Sequence, residues 1–186
     1  MNSLKFITNA TNKGKTIGTQ THEAIEHFIT TGKARVESEY PTEVINALSS
    51  FMLFRKEHPE CDLKLSETPL VHSVHNYNGT IDAPNPPDLY DWKSGEAKEL
   101  DKPKVYSEWL YQCSAYTHLW NDNYPEMPIR RAHIVALAKD KVAYNLYTME
   151  EEEINSCFNE VFLSCLRIHN FQRKNPCQKE SISTKS

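Results

Sequence analysis

Cysteine is scarce in this chain and carries no metal-binding pattern. The five cysteines, at positions 61, 113, 157, 165 and 177, form no CxxC pair and no zinc spacing. An odd count, mostly on helical segments, points to reduced thiols in an intracellular, cytoplasmic protein. No apolar run is long enough to span a bilayer, and the N-terminus has no signal-peptide hydrophobic region, so no membrane partner is expected. Internal repeats are absent. A surplus of positive charge is missing as well. The net charge of −4 excludes a blanket basic coat for nucleic acid but leaves room for a local basic groove, because steering depends on where the charges sit.

What is present is an ordinary globular composition, 39% hydrophobic and 25% charged over 186 residues, long enough to bury a core. A single domain over residues 1–171 is expected, with a polar, disordered tail over 172–186.

The chain is organised around residues 77–95. Tyr77-Asn78-Gly79-Thr80-Ile81-Asp82 is followed by a proline-rich break at Pro84, Pro86 and Pro87, then by Asp88-Leu89-Tyr90-Asp91-Trp92-Lys93-Ser94-Gly95. The prolines stop any helix, so the stretch reads as two short strands and a tight connection. A hairpin there brings Asp82 and Asp91 together. The two-residue period of a strand puts Asp91 and Lys93 on one face, and Tyr90 and Trp92 on the other, where they can be buried. Two carboxylates and an ammonium on one spot suit Mg²⁺ or Mn²⁺ and a phosphate oxygen. The same residue types also make an ordinary salt bridge on a solvated sheet edge.

Residues 1–16 read as a polar arm. Helices are expected from Ile17 to Thr30 and from Thr42 to His58, with Thr42 as N-cap and Val44, Ile45, Leu48, Phe51 and Met52 as core. His22 shares a helix face with Glu26 and reads either as a partly exposed helix histidine or as a neutral metal ligand. Gly18 would let another backbone approach closely. A strand over residues 64–75 carries Glu67 at its start, and Asn76-Tyr77-Asn78-Gly79 reads as its turn. Lys98, Lys102 and Lys104 follow the site strands and could meet phosphates. A helix from Val105 to Asn121 carries an apolar stripe of Val105, Trp109, Tyr116, Leu119 and Trp120, with Glu108 and Gln112 inside it and Tyr116 one turn beyond Gln112. Such polar groups need partners, either in neighbouring backbone or in a site. Residues 131–138 and 142–147 read as strands. A Thr148/Glu151 capping box opens a last helix, with Ile154, Phe158, Val161, Phe162, Cys165 and Ile168 on its buried stripe.

In this order, Gly18-Thr19-Gln20-Thr21-His22 with Glu26, Gly79-Thr80-Ile81-Asp82, Asp91-Trp92-Lys93-Ser94-Gly95 and Gln112-x-x-x-Tyr116 resemble the PD-(D/E)XK nuclease superfamily. Within it the match is to the RecB-like group, which includes phage-type exonucleases, and it covers about residues 17 to 148. The resemblance implies an α/β fold, a restriction-endonuclease-like αβββαβ core with a central mixed sheet flanked by helices. It implies a divalent metal, Mg²⁺ or Mn²⁺, on Asp82, Asp91 and the Trp92 carbonyl, with His22 as a further ligand. Lys93 would orient or help deprotonate the attacking water and stabilise charge on the phosphate. Gln112 and Tyr116 would hold substrate or brace the site, and Glu67 matches a further acidic position loosely. Asp91 stands where many relatives have Glu. The cysteine spacing departs from that of the iron–sulfur members, so no iron–sulfur cluster is expected.

The function implied is a metal-dependent DNA exonuclease acting in recombination, repair or phage DNA processing. The alternatives are an endonuclease of the same chemistry and a non-catalytic nucleic-acid-binding module. DNA is the expected partner. Single strands are favoured if Tyr77, Trp92 or Tyr116 stack bases, though each could equally be core. By analogy with related exonucleases, a homo-oligomer or a recombination partner protein is a further expectation.

Overall fold

The computed structural model describes residues 12–34, 40–100 and 105–175. Its elements run α1 (Asn12–Thr31), α2 (Thr42–Glu57), β1 (Thr68–Val71), β2 (Asn78–Ile81), β3 (Ala83–Asn85), β4 (Asp88–Gly95), α3 (Ala97–Leu100), α4 (Ser107–Asn123), β5 (Arg131–Ala138) and β6 (Tyr144–Met149). A last helical run follows, made of α5 (Glu151–Ser156), a π-helical stretch (Cys157–Phe162) and α6 (Leu163–Lys174). Strands β3, β4, β5 and β6 form one sheet in that order. β3 and β6 are antiparallel to their neighbours, and β4 and β5 are parallel. The fold is therefore mixed α/β, with helices flanking a mixed four-stranded sheet. β1 and β2 pair separately as an antiparallel ribbon.

The sheet buries both faces because its central strands are apolar on both. On one face Tyr90, Trp92, Val135 and Leu137 meet Ala24 and Ile25 of α1 and Leu48, Phe51 and Phe54 of α2. The Trp92 ring is crossed edge-on by Phe51 and Phe54, with centroids 5.2 and 5.9 Å away. On the other face Leu89, Ile134, Ala132 and Met149 pack on Cys113 and Trp120 of α4 and Ile154 of α5. A parallel neighbour needs a crossover connection, and α3 and α4 supply it between β4 and β5. α4 therefore lies across the face that carries Asp91 and Lys93.

Several sequence expectations are corrected. Helix α1 starts at Asn12, inside the stretch read as an arm, and residues 1–11 lie outside the described ones, as do Lys102, Lys104 and 176–186. Thr42 is the first residue of α2 rather than its cap, since Pro41 precedes it in an extended conformation with no side-chain cap. Ile45 is exposed. The strand expected over 64–75 shrinks to Thr68–Val71. The turn that follows runs from His72 to Tyr77, with Asn76 supplying the left-handed residue (φ 54°), so Gly79 falls in β2 instead. β6 continues through Met149, and Thr148 bonds to His133 instead of capping a helix. In the last helical run Leu166 is buried and Ile168 exposed, although the helical spacing favoured Ile168. The π-helical stretch explains the change, because its wider turn rotates every later residue out of the 3.6-residue phase. Among the described residues no helix is long and apolar enough to cross a membrane.

Candidate active site

The site begins where a strand pairing stops. The β3–β4 ladder ends at Ala83 opposite Tyr90, so the next outward-facing backbone groups on β4, those of Trp92, lose their strand partner. Side chains replace it. The Trp92 N–H donates to Asp82 Oδ2 (2.8 Å), and His22 Nε2 donates to the Trp92 carbonyl (2.9 Å). With Nε2 protonated by this bond, His22 Nδ1 turns towards carboxylates, 3.6 Å from Asp82 Oδ1 and 3.4 Å from Glu67 Oε1. His22, Glu67 and Asp82 each offer one ligand atom, and these atoms lie within 4.8 Å of one another. The Trp92 carbonyl, expected among the metal ligands, is engaged by the histidine. A ring N–H fixed on a backbone carbonyl is how ligating histidines are commonly oriented.

Glu67, which the resemblance matches only loosely, is the residue that completes this cluster. Its backbone is left-handed (φ 46°), a conformation that costs a non-glycine residue energy. The Asp82 carbonyl holds it there, accepting from Glu67 N (2.9 Å) and Ser66 Oγ (3.1 Å). No periodic signal in the sequence reports such a turn.

Asp91 and Lys93 face α4, as the strand period required. Asp91 is fully buried, and its Oδ2 pairs with the Lys93 ammonium at 2.5 Å, while Oδ1 has no hydrogen-bond partner among the described residues. Lys93 Nζ also donates to Gln112 Oε1 (2.9 Å), and Gln112 Nε2 donates to the Tyr116 hydroxyl (2.8 Å). This network accounts for the polar residue in the α4 stripe. Glu108, read as part of the same stripe, is exposed. A cavity of about 410 Å³ opens beside His22 and Glu67, walled by the α1 residues Gly18, Thr19, Glu23 and Glu26. Gly18 itself is not tightly packed, since a Cβ there would lie 3.9 Å from Ser94 Oγ.

The electrostatics reflect crowding by carboxylates. Burial works against a charged His22, but Asp82 and Glu67 outweigh it and raise its pKa. Burial raises the Asp82 carboxyl, His22 opposes this, and the nearby Asp91 adds to it. Burial also works against the Lys93 ammonium, yet Asp91 and Asp82 hold it well above the ordinary lysine range. Asp91 Oδ2 and Gln112 Oε1, which it contacts, are both acceptors, which suits a charged donor. Burial pushes the Cys113 thiol and the Tyr116 hydroxyl up, so both keep their protons.

The donor set fits a divalent cation. A cation that displaced the His22 Nδ1 proton would meet three carboxylates (Glu67, Asp82, Asp91) against one ammonium (Lys93), two negative charges for it to balance. A buried carboxylate oxygen without a partner adds to the demand for positive charge. Oxygen donors with one imidazole accept several hard or borderline cations, so the set does not select one metal.

No family model matches the chain, and no curated protein does. Among solved structures, the crystal structure of a "putative exonuclease" from Eubacterium rectale is similar, with a TM-score of 0.47 and 11% identity, over 99% of this chain and 96% of that one.

Proposed function

We propose that this protein is a metal-dependent deoxyribonuclease, an exonuclease that hydrolyses phosphodiester bonds in DNA. The observation that carries the reading is the buried Asp91 carboxylate, with one oxygen unpartnered, set against Lys93 and beside the His22–Glu67–Asp82 cluster. His22 through Nδ1, Glu67, Asp82 and Asp91 would hold the cation, Mg²⁺ or Mn²⁺. When bound, such an ion supplies Lewis-acid polarisation and positive charge for phosphoryl chemistry. The chain's own residues do the rest. Lys93 presents a fixed positive charge where negative charge develops on a phosphate, and Gln112 and Asp91 set its direction. Trp92 contributes its backbone, which anchors Asp82 and His22, while its ring is core. Tyr77 is core as well, 4% exposed, so neither ring is free to stack a base.

The test is digestion of end-labelled linear single- and double-stranded DNA with Mg²⁺, Mn²⁺ or EDTA, alongside Asp91→Ala. Metal-dependent release of nucleotides, lost in the variant, is the expected result. Cutting of a closed single-stranded circle would replace the exonuclease reading with an endonuclease of the same chemistry. A folded, metal-loaded protein that binds DNA and cuts none would make it a non-catalytic binding module.

A further inference from the structure

Gly79 is not a glycine for the sake of its backbone. It lies in β2, opposite Leu70 of β1, and its φ is not in the left-handed region that only glycine adopts readily. What it lacks is a Cβ. A Cβ built there would meet Tyr116 Cε1 at 2.6 Å and Cδ1 at 3.3 Å, with Leu119 Cδ2 at 3.5 Å. Methyl carbons do not tolerate the first of these distances, so the ring would have to move. Tyr116 has little room to do so, because it packs between two core clusters, one with Cys113 and Ile81 and the other with Tyr77 and Phe158.

The position of that ring has a consequence one turn along α4. The Tyr116 oxygen accepts from Gln112 Nε2 at 2.8 Å, which fixes the amide with Oε1 towards Lys93 Nζ at 2.9 Å. If the ring withdraws, the amide loses the bond that anchors its Nε2 end, and the Oε1 contact that directs Lys93 is no longer braced.

We propose that Gly79 is a positioning residue: the missing side chain on β2 sets the depth of the Tyr116 ring, and Tyr116, through Gln112, aims the Lys93 ammonium at the site. The kinetic part of this inference rests on the nuclease reading above, and the spectroscopic part does not. Gly79→Ala should lower kcat on the order of 10²-fold with KM nearly unchanged, the size expected for a small misplacement of a reacting group. The Gln112 side-chain amide signals, assigned with Gln112→Ala, should shift in the same variant, in the full chain and without any DNA.

The deciding comparison is with Tyr116→Ala, which removes the ring that the new methyl would strike. Gly79→Ala should cost nothing further in that background, in rate or in the Gln112 signals. Additive losses would overturn the proposal. So would a Gly79→Ala protein with normal kcat and unmoved Gln112 signals. Should Gly79→Ala alone fail to fold, a double variant as stable as Tyr116→Ala supports the proposal, and a double variant that also fails to fold overturns it. If the wild type cuts no DNA, the nuclease reading fails, and shifted or unshifted Gln112 signals still decide the packing relay.

Discussion

Asp88 and Asp91 stand on the same strand, one on each face, and their surroundings could hardly differ more. Asp88 is closed off. Arg131 grips it through Nε (2.8 Å) and a second nitrogen (3.1 Å), and His133 Nε2 bonds it at 3.0 Å. His133 in turn bonds Thr148 at 2.9 Å, and Tyr90 stacks on its ring. Among the described residues Asp91, deeper and fully buried, has only Lys93 as a partner and keeps an unpartnered oxygen. The two histidines repeat the contrast. Burial lowers the pKa of His133 despite Asp88, whose charge Arg131 already balances. His22 is raised because Asp82 and Glu67 outweigh burial. One end of the strand is a finished electrostatic unit. The other holds more negative charge than the chain balances, which is a poor way to stabilise a fold and a good way to attract a cation.

The largest test of this contrast is activity. Asp91→Ala should reduce cleavage of end-labelled DNA by roughly 10³-fold, whereas Asp88→Ala should stay within about 3-fold of wild type at equal folded fraction. Similar losses from both would erase the functional distinction. Next comes cation linkage. Mg²⁺ or Mn²⁺ at about 100 times its Kd should raise unfolding stability by about 2.7 kcal/mol in the wild type and in Asp88→Ala, and by almost nothing in Asp82→Ala. Thermal melts with and without EDTA read this directly. A full shift in Asp82→Ala would place the cation elsewhere. Third, Asp88→Ala should itself cost about 1–3 kcal/mol in urea unfolding, because His133 and Arg131 lose their shared acceptor. No loss would mean that the closed network is ornamental.

Much of this arrangement could be read from the sequence, for reasons that differ between residues. Asp91 and Lys93 were placed on one face, opposite Tyr90 and Trp92, because a strand's period is rigid and local. Gln112 stood out because a polar residue in an apolar stripe has to be satisfied, and Lys93 and Tyr116 satisfy it. Strand β5 was delimited residue for residue, since an apolar run between turn signals leaves little choice. What stayed hidden was non-local or depended on unusual backbone. Glu67 meets His22 from a left-handed backbone position 45 residues away in sequence. The role of Gly79 is invisible until Tyr116 is seen lying on it. The exposure of Ile168 follows from a π-helical stretch that no period-based reading anticipates. Glu108 shows the opposite error, since a place in the stripe did not bring it inside.

The smallest effect separates the two histidines by pH. The folded-state pKa of His133 lies below its ordinary value of 6.5, because burial outweighs the help from Asp88. As pH falls below about 6.5 the unfolded chain takes up this proton before the folded protein does, so stability present above that pH is lost as pH drops through the folded value. His72 and His118 are lowered by burial as well and add in the same direction, although Asp122 opposes the first and Asn155 the second. His22 works the other way, because a raised pKa contributes stability at low pH that is lost as pH rises. The absolute slope of the wild type is therefore a mixture. The difference between wild type and His133→Gln is not, since every other group is common to both. In EDTA, between about pH 7.5 and about pH 5.5, the urea midpoint of the wild type should fall further than that of the variant. Equal falls would mean that His133 titrates alike in the folded and unfolded chain, and Asp88 would then be no more finished a site than Asp91.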